Sequence, residues 1–281
     1  MIGLDQAYIE GVVKAALTED IGSGDITSLL TVSEESKSTA VMVAKANGVL
    51  AGTQAAAFAL HGADTVNVHI TLTDGMHVSP GDVILRAEGN TRAILSGERV
   101  ALNFLQRMSG VATLTSKYVE AVSGTKAKIV DTRKTTPGLR RLEKYAVGVG
   151  GGFNHRFGLD DGILIKDNHI AAAGGITAAV SAAKQRAPHT LKIEVEVTNL
   201  GQLREAIDSG ADIVMLDNMS LDLMREAVSI VNGKVLLEAS GGVNLDTVRQ
   251  IAETGVDIIS VGALTHSASA LDISLNITQA Q

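Results

Sequence analysis

The chain has 281 residues, which is enough for one large domain or for two ordinary ones. Hydrophobic residues make up 45% of it but aromatic residues only 2%, so its core must be built from Val, Ile, Leu and Ala. The net charge of −7 and the scarcity of aromatic side chains argue against nucleic acid or an anionic membrane as a partner. The sequence has no cysteines, and its pattern indicates neither a signal sequence nor a membrane span, so we expect a cytoplasmic protein without disulfides.

The N-terminal part of the chain has the pattern of a mixed α/β region. An amphipathic helix, two strands and a long helix are predicted at residues 6–17, 39–46, 66–72 and about 91–122. Residues 75–85 alternate turn residues with apolar ones, as lipoyl and biotinyl carrier domains do. Those domains need a lysine on an exposed hairpin, and no lysine lies between Lys45 and Lys117. We therefore predict a compact β-fold in this stretch.

The C-terminal part alternates short apolar runs with helical patterns. The apolar runs lie at residues 128–131, 162–166, 192–197, 212–217, 234–240 and 257–261. The helical patterns lie at residues 176–186, 200–209, 221–231 and 245–253. This alternation predicts parallel strands joined by helices. We favour a β/α barrel over an open doubly wound sheet, which has the same local signals.

Polar residues and glycines follow nearly every predicted strand. In a β/α barrel the functional side chains stand at the C-terminal ends of the strands and on the loops after them. The sets found there are Asp131–Thr136, Lys166–His169, Glu194–Glu196, Asp217-Asn218, Glu238–Gly242 and Ser260–Gly262. Packing does not explain polar groups at one end of so many strands, so this end is predicted to be the functional one.

The cationic residues of the predicted barrel concentrate on its first two strand–helix units. They are Arg133, Lys134, His155, Arg156 and Lys166, and they lie in a stretch that is basic although the rest of the chain is acidic. A basic mouth on an acidic protein suits a small polyanionic substrate, which guanidinium groups can hold.

Two carboxylates, Glu196 and Asp217, end adjacent predicted strands. They can hold Mg²⁺ through oxygen ligands while a pyrophosphate supplies the others. They can equally act as an acid–base pair, or pair with the nearby lysines. Because Glu194 and Glu196 point to the same side of a strand, one of them can serve a structural ion pair. We favour Glu196 as the functional one because it lies nearer the end of the strand.

Two small-residue turns, Ser240-Gly241-Gly242 and Val261-Gly262-Ala263, follow the last two predicted strands. In barrels this is a common place for backbone N–H groups to bind phosphate. Barrel turns also need glycine for purely structural reasons, so that explanation stays open.

The block at residues 131–140, Asp-Thr-Arg-Lys-Thr-Thr-Pro-Gly-Leu-Arg, resembles a signature of the quinolinate phosphoribosyltransferases, the decarboxylating enzymes of de novo NAD synthesis. Further similar blocks lie at residues 19–27, 97–103, 142–147, 150–159, 163–169, 194–197, 217–218, 238–242 and 262–267. The resemblance therefore spans nearly the whole chain.

This resemblance implies a fold and an assembly. We expect an N-terminal α/β sandwich (residues 1–110), an incomplete parallel β/α barrel of the type II phosphoribosyltransferase kind (111–270), and a tail (271–281) that returns to the N-terminal domain. The assembly would be a homodimer, or a hexamer formed as a trimer of dimers. The reaction would be a pentosyl transfer from phosphoribosyl pyrophosphate to quinolinate, giving nicotinate mononucleotide, pyrophosphate and CO₂.

The resemblance also implies roles for particular residues. Quinolinate would be held by Arg133, Arg156 and Lys166, with His155 nearby and Arg99 lent by the partner subunit. The catalytic set would be Lys134 by the reacting groups, with Glu196 and Asp217 at the ribose and at Mg²⁺. The 5′-phosphate would lie on Ser240, Gly241 and Gly262, and Thr132, Gly242 and Ser260 complete the predicted substrate-binding set. The proton that replaces CO₂ would come from Lys134 or from water.

Three other functions compete with this one. The first is a related transferase for another substrate, either a nicotinate-specific enzyme or a paralogue associated with molybdenum transport. A pocket for one carboxylate needs fewer cations than are present here, and the stretch at residues 166–169 resembles the quinolinate enzymes rather than the molybdenum-linked ones. An aldolase-type barrel would use Lys134 or Lys166 as a Schiff base in a desolvated pocket. A sensor of phosphoribosyl compounds would bind without turnover, and the complete set of catalytic-type residues counts against it.

Overall fold

The computed structural model of the chain describes residues 3–61 and 65–279. Its helices are α1 (Gln6–Ile21), α2 (Ile26–Thr31), α3 (Thr53–His61), α4 (Thr91–Ala121), α5 (Arg140–Val149), α6 (Asp167–Ala173), α7 (Ile176–Arg186), α8 (Leu200–Ser209), α9 (Leu221–Val231), α10 (Val248–Glu253) and α11 (Ala263–His266). Its strands are β1 (Lys37–Ala44), β2 (Gly48–Val49), β3 (Val66–Ile70), β4 (His77–Val78), β5 (Val83–Asn90), β6 (Lys128–Val130), β7 (Ile163–Ile165), β8 (Ile193–Val197), β9 (Ile213–Asp217), β10 (Leu236–Ser240), β11 (Ile258–Ser260) and β12 (Ile273–Gln279).

The chain forms two compact units that are not continuous in sequence. The first unit comprises Met1–Ser116, Pro137–Gly151 and Ser267–Gln281, and the second comprises Lys117–Thr136 and Gly152–His266. Residues 137–151 group with the first unit although they lie inside the range 111–270 that the sequence analysis assigned to the barrel. No helix among the residues described here is long and apolar enough to cross a membrane.

The first unit is built on a four-stranded antiparallel sheet in the order β12-β1-β5-β3. Burial alternates along β1, which turns Ala40 and Met42 toward the core, as expected of a strand with one covered face. Side chains such as Val13 of α1 and Leu60 of α3 fill the same core. The last strand, β12, pairs antiparallel with β1 along its whole length, with Ile277 opposite Ala40.

The second unit contains a parallel sheet in the order β6-β11-β10-β9-β8-β7. The strands from β7 to β11 are neighbours in chain order, and β6, the first strand of the unit, lies beside β11, the last. The sheet therefore curls into a barrel that has one gap, between β6 and β7. At this gap Phe153 makes an isolated parallel bridge with Val130. The predicted fold class, an α/β protein with an incomplete parallel barrel, is confirmed, and the open doubly wound sheet is excluded.

The six strands of the second unit and its helices α7, α8 and α9 form where the sequence predicted them, whereas α10 begins three residues later than predicted and α6 and α11 were not predicted. β8 and β9 are apolar and buried along most of their length, as expected of strands covered on both faces. Side-chain caps begin the helices that follow, since Asn199 accepts from the N–H of Gln202 and Ser220 from that of Leu223. The caps fix where each helix begins, so the loops between strand and helix stay short and lie at the C-terminal ends of the strands.

Candidate active site

A cavity of about 520 Å³ lies at the C-terminal ends of the parallel strands of the second unit. Its lining residues are Thr132, Arg133, Lys134, His155, Arg156, Leu164, Lys166, Glu196, Met215, Asp217, Asn218, Glu238, Ser240, Gly241, Gly242 and Ser260. The cavity therefore brings together all the predicted site residues except Arg99 and Gly262. Its volume is that of a small-molecule site.

The two exceptions lie elsewhere. A Cβ atom at Gly262 would lie 3.2 Å from Cδ of Lys134 and 3.1 Å from Nε2 of His266, so this glycine adjoins the lysine that lines the cavity. Arg99 belongs to α4 in the first unit, where its side chain is exposed. Its contribution to the site of a partner subunit stays a prediction.

The loop after β6 is held by two threonines. The backbone N–H of Lys134 donates to Oγ1 of Thr132 (3.0 Å), and Oγ1 of Thr265 donates to the carbonyl of Lys134 (2.7 Å). The backbone of Lys134 is thus attached both to its own loop and to α11, while its exposed side chain lies along Gly262. This arrangement presents an ammonium group at the cavity.

Arg156 is a partly desolvated cation. Its Nη1 donates to the carbonyl of Gly162 (2.9 Å), while its buried Nε–H has no hydrogen-bond partner among the described residues. Burial and then the charge of Arg133 lower the pKa of Arg156, against the opposing charges of Glu194 and Asp161. A desolvated guanidinium with an unused donor, beside a second guanidinium, suits an anionic ligand.

Asp131 anchors the segment that carries Arg156. Its buried carboxylate accepts from Nδ2 of Asn154 (2.7 Å) and from the backbone N–H of His155 (2.9 Å). The two segments that supply the cations, one after β6 and one before β7, are therefore joined through a single carboxylate.

His155, Glu194 and Glu238 form a cluster beneath the cations. Nε2 of His155 lies 3.0 Å from Glu194 and 3.7 Å from Glu238, and both carboxylates are buried. Burial, followed by the charge of Glu194, raises the pKa of Glu238 to about 7. Of the two carboxylates that the sequence offered for a structural ion pair, Glu196 is paired with the Lys166 ammonium, and Glu194 lies against the imidazole of His155.

The sequence analysis placed Glu238 in the polar set at the functional end of the strands but gave it no role in the site. A signal for it was available, because a charged residue in the apolar run Leu236–Ser240 is unusual unless it has a partner or a role. The same signal applies to Glu194 in β8. Leu164 and Met215, which add apolar surface to the cavity, had no such signal.

The predicted catalytic carboxylates both line the cavity. Glu196 accepts from the Lys166 ammonium (2.8 Å), so one of the lysine pairs that the sequence left open is formed. Oδ1 of Asp217 accepts from Nδ2 of its neighbour Asn218 (3.1 Å). Oxygen ligands are therefore present on two adjacent strands, β8 and β9.

The turn after β10 depends on its glycines. Gly241 has φ of 92° and Gly242 has φ of 60°, conformations that side chains rarely adopt. A Cβ atom at Gly241 would collide with the side chain of Asn218, whose own backbone is left-handed (φ 52°) and donates to the carbonyl of Ser240 (2.9 Å). Glycine thus allows the turns after β9 and β10 to approach each other at the cavity.

An incomplete β/α barrel whose cavity is basic and also carries carboxylates is typical of enzymes that act on small polyanionic substrates. Comparison with known families is consistent with this class. The family described as quinolinate phosphoribosyl transferase, C-terminal domain, matches residues 111–276, and the corresponding N-terminal domain matches residues 25–109. The chain belongs to the quinolinate phosphoribosyltransferase family and is an enzyme, a pentosyltransferase.

Individual relatives agree over almost their full length. The chain is 48% identical over 264 residues to a probable nicotinate-nucleotide pyrophosphorylase (carboxylating) of Bacillus subtilis, covering 92% of this chain and 90% of that one. It is 45% identical over 272 residues to the Mycobacterium leprae enzyme of that name, covering 94% and 95%. The solved nicotinate-nucleotide pyrophosphorylase of Francisella tularensis superposes with a TM-score of 0.94 at 44% identity, covering 99% and 98%.

Proposed function

We propose that this chain transfers the phosphoribosyl group of phosphoribosyl pyrophosphate to the ring nitrogen of quinolinate. The acceptor loses CO₂, and the products are nicotinate mononucleotide and pyrophosphate. The single observation that carries the proposal is the cavity, where four cationic side chains meet three carboxylates, among them Glu196 and Asp217. The relatives described above carry the name of this activity.

The cations account for a dicarboxylate substrate. Arg133, Arg156 and Lys166 come from three different segments and line one cavity, so they can hold two neighbouring carboxylates at once. The unused Nε–H of Arg156 is a donor for one of them. Leu164 and Met215 supply the apolar surface that a flat aromatic ring needs.

The carboxylates account for the transfer step. The lone pair of the pyridine nitrogen forms a bond to C1 of the ribose while the bond from C1 to pyrophosphate breaks. Positive charge develops on the ribose, and Glu196 and Asp217, which line the cavity, would stabilise it. No covalent enzyme intermediate is required, and no nucleophile has to be activated.

The second step releases CO₂. The bond from C2 of the ring to its carboxylate breaks, and the electron pair left on C2 is stabilised by the positive ring nitrogen beside it. A proton then replaces the carboxylate. Lys134, whose side chain lines the cavity, and water are both candidates for its donor.

Mg²⁺ fits the residues present. Glu196 and Asp217 offer oxygen ligands on adjacent strands of one cavity, and Mg²⁺ in nucleotide sites commonly has one or two carboxylates together with substrate phosphates. When bound, the ion would neutralise charge on the leaving pyrophosphate. The glycine turn of Ser240, Gly241 and Gly242, with Gly262 nearby, would hold the 5′-phosphate.

The proposal extends to assembly and location. We infer a homodimer, alone or within a hexamer, in which Arg99 of one subunit completes the site of the other. The exposed apolar side chains of α2, those of Ile26, Leu29 and Leu30, support an interface on the first unit. Composition supports a cytoplasmic location and argues against nucleic acid as a partner.

The test is turnover by the purified protein with quinolinate, phosphoribosyl pyrophosphate and Mg²⁺. Nicotinate mononucleotide is followed by chromatography and CO₂ by a label on the C2 carboxylate, with nicotinate as a parallel substrate. We expect both products from quinolinate and none from nicotinate. An Arg133→Ala variant should lose turnover, whereas Arg225→Ala, which removes an exposed ion pair with Asp222, should keep it.

Other results would point to the competing functions. Product from nicotinate without CO₂ would contradict the dicarboxylate pocket, and no turnover with either acid would contradict the reaction. An aldolase is disfavoured by the lysines themselves, since Lys166 is ion-paired and 45% exposed and Lys134 is exposed.

A further inference from the structure

Both ring nitrogens of His155 are engaged by the protein. The backbone N–H of Arg156 donates to Nδ1 (2.7 Å), so Nδ1 carries no proton. The proton of the neutral ring is then on Nε2, which lies 3.0 Å from a carboxylate oxygen of Glu194. His155 therefore lines the cavity without directing a ring nitrogen to a substrate.

This tautomer excludes one interpretation of the cluster. His155, Glu194 and Glu238 lie close enough together to suggest a metal site. A protonated Nε2 cannot bind a metal ion, and the N–H of Arg156 would have to give up its acceptor before the proton could move to Nδ1. Two guanidinium groups nearby, those of Arg156 and Arg133, oppose a further cation as well.

The two carboxylates of the cluster are costly to bury. Glu194 is only 5% exposed and Glu238 only 1%, and each has one oxygen without a hydrogen-bond partner among the described residues. Buried charges of this kind are retained where an opposite charge or a function compensates for them. The compensating charges are those of Arg156, which interacts with Glu194, and of Lys166, which interacts with Glu238.

We propose that Glu194 is a positioning residue that fixes the guanidinium of Arg156 in the quinolinate pocket by holding the ring of His155. The connection runs from the Glu194 carboxylate on β8 to Nε2 of the imidazole, and from Nδ1 to the backbone of Arg156, while Glu238 on β10 lies 3.7 Å from Nε2. This inference rests on the proposed function, since it assigns Arg156 to quinolinate.

The arrangement is well suited to positioning. β8 and β10 are buried strands of the barrel, so the carboxylates are rigidly placed, whereas Arg156 lies in a segment without helix or strand. Asp131 holds the backbone N–H of His155, and Gly162 accepts from Nη1 of Arg156. The imidazole connects this segment to the strand β8.

The experiment compares two substitutions at one position. Glu194→Met keeps the volume of the side chain and removes the acceptor for Nε2–H, whereas Glu194→Gln keeps an acceptor oxygen. We expect Glu194→Met to raise the KM and the calorimetric Kd for quinolinate roughly tenfold, as for loss of a hydrogen bond to a charged group. Glu194→Gln should restore most of the affinity, and the KM for phosphoribosyl pyrophosphate should change less than about twofold in either variant.

A matched control is a carboxylate at the opposite end of the same sheet. Asp257 precedes β11, where it accepts from the N–H of Leu237 (2.9 Å) and pairs with Lys126 (2.7 Å). Asp257→Asn should leave both KM values unchanged. His155→Phe is a second variant that keeps a ring and removes both hydrogen bonds, and it should reproduce the selective loss of quinolinate affinity.

A double-mutant cycle tests the route through Arg156. In an Arg156→Lys background, Glu194→Met should add less than about a twofold further loss, because the group that it positions is already altered. Three results would each overturn the positioning role. They are affinity losses that multiply in the double variant, equal losses of affinity for quinolinate and phosphoribosyl pyrophosphate, and a Glu194→Met enzyme that binds quinolinate with wild-type affinity. If the wild type and Asp257→Asn do not bind quinolinate at all, the proposed function fails instead, which keeps the two failures apart.

Discussion

The ammonium of Lys166 lies 2.8 Å from a carboxylate oxygen of Glu196, and both side chains line the cavity of the second unit. The pair joins the end of β7 to the end of β8, its neighbour in the sheet. If Lys166 holds quinolinate and Glu196 the ribose, as proposed, this ion pair places the groups for the two substrates side by side.

The pair should matter for activity more than for stability. It is solvent-accessible at Lys166, and exposed ion pairs contribute about 0–1 kcal/mol to the free energy of unfolding. We expect Lys166→Met to change that free energy by less than about 1 kcal/mol while it raises the KM for quinolinate roughly tenfold or more. Glu196→Gln should instead lower kcat roughly a hundredfold, because it removes charge stabilisation from the transition state.

Urea unfolding and steady-state kinetics on the same preparations measure both effects. A large loss of stability with unchanged kinetics would make the pair structural.

Gly241→Ala should weaken the binding of phosphoribosyl pyrophosphate. Its φ of 92° disfavours a side chain, and the new Cβ would collide with the side chain of Asn218, which follows Asp217. We expect a rise of roughly tenfold or more in the KM for phosphoribosyl pyrophosphate and a loss of about 1–3 kcal/mol in the free energy of unfolding.

Gly233→Ala separates these two causes. Gly233 has a similar φ of 77°, and a Cβ there would have no atom within 4 Å. This control should lose comparable stability and keep its kinetics. Equal kinetic losses in both variants would contradict a local effect at the phosphate turn.

Glu238→Gln should change how stability depends on pH. Burial, together with the charge of Glu194, raises the pKa of Glu238 from 4.5 to about 7, so the folded state binds this proton more tightly than the unfolded state does. The stabilisation from the bound proton is complete below about pH 4.5 and is lost as the pH rises through about 7. The wild type should therefore lose up to about 3 kcal/mol relative to Glu238→Gln across that interval.

Urea unfolding of both proteins at about pH 5 and about pH 8 tests this sign. The difference between them should widen with pH. A constant difference would show that Glu238 has the same pKa in both states.

Arg99 gives a test of the shared site. Mixing the subunits of two inactive variants, Arg99→Ala and Arg133→Ala, should restore activity if Arg99 serves the partner's cavity. A mixed dimer then has one site with both defects and one intact site, and random exchange predicts about a quarter of wild-type activity. If native mass spectrometry shows mixed dimers without activity, Arg99 does not act across the interface.

The local pattern of the sequence determined the elements of the barrel and the edge at which its site lies. Apolar runs predicted all six parallel strands, and the predicted limits of α7, α8 and α9 agree with the structure. Such elements follow from hydrophobic period and capping residues, which are properties of neighbours in the chain. Parallel strands place their C-terminal ends on one side, so the sequence alone could assemble most of the cavity.

Only the tertiary structure decided which strands meet and which charged side chains lie together. Closure depends on β6 lying beside β11, and the cluster of His155, Glu194 and Glu238 joins three segments far apart in the chain. Residues 137–151 belong to the first unit for the same reason. Contacts of this kind depend on how the packed sheets and helices come together, and no pattern within one segment records its distant neighbour. The sequence therefore predicted most of the groups that line the cavity, whereas the fold brought Glu194 and Glu238 to His155.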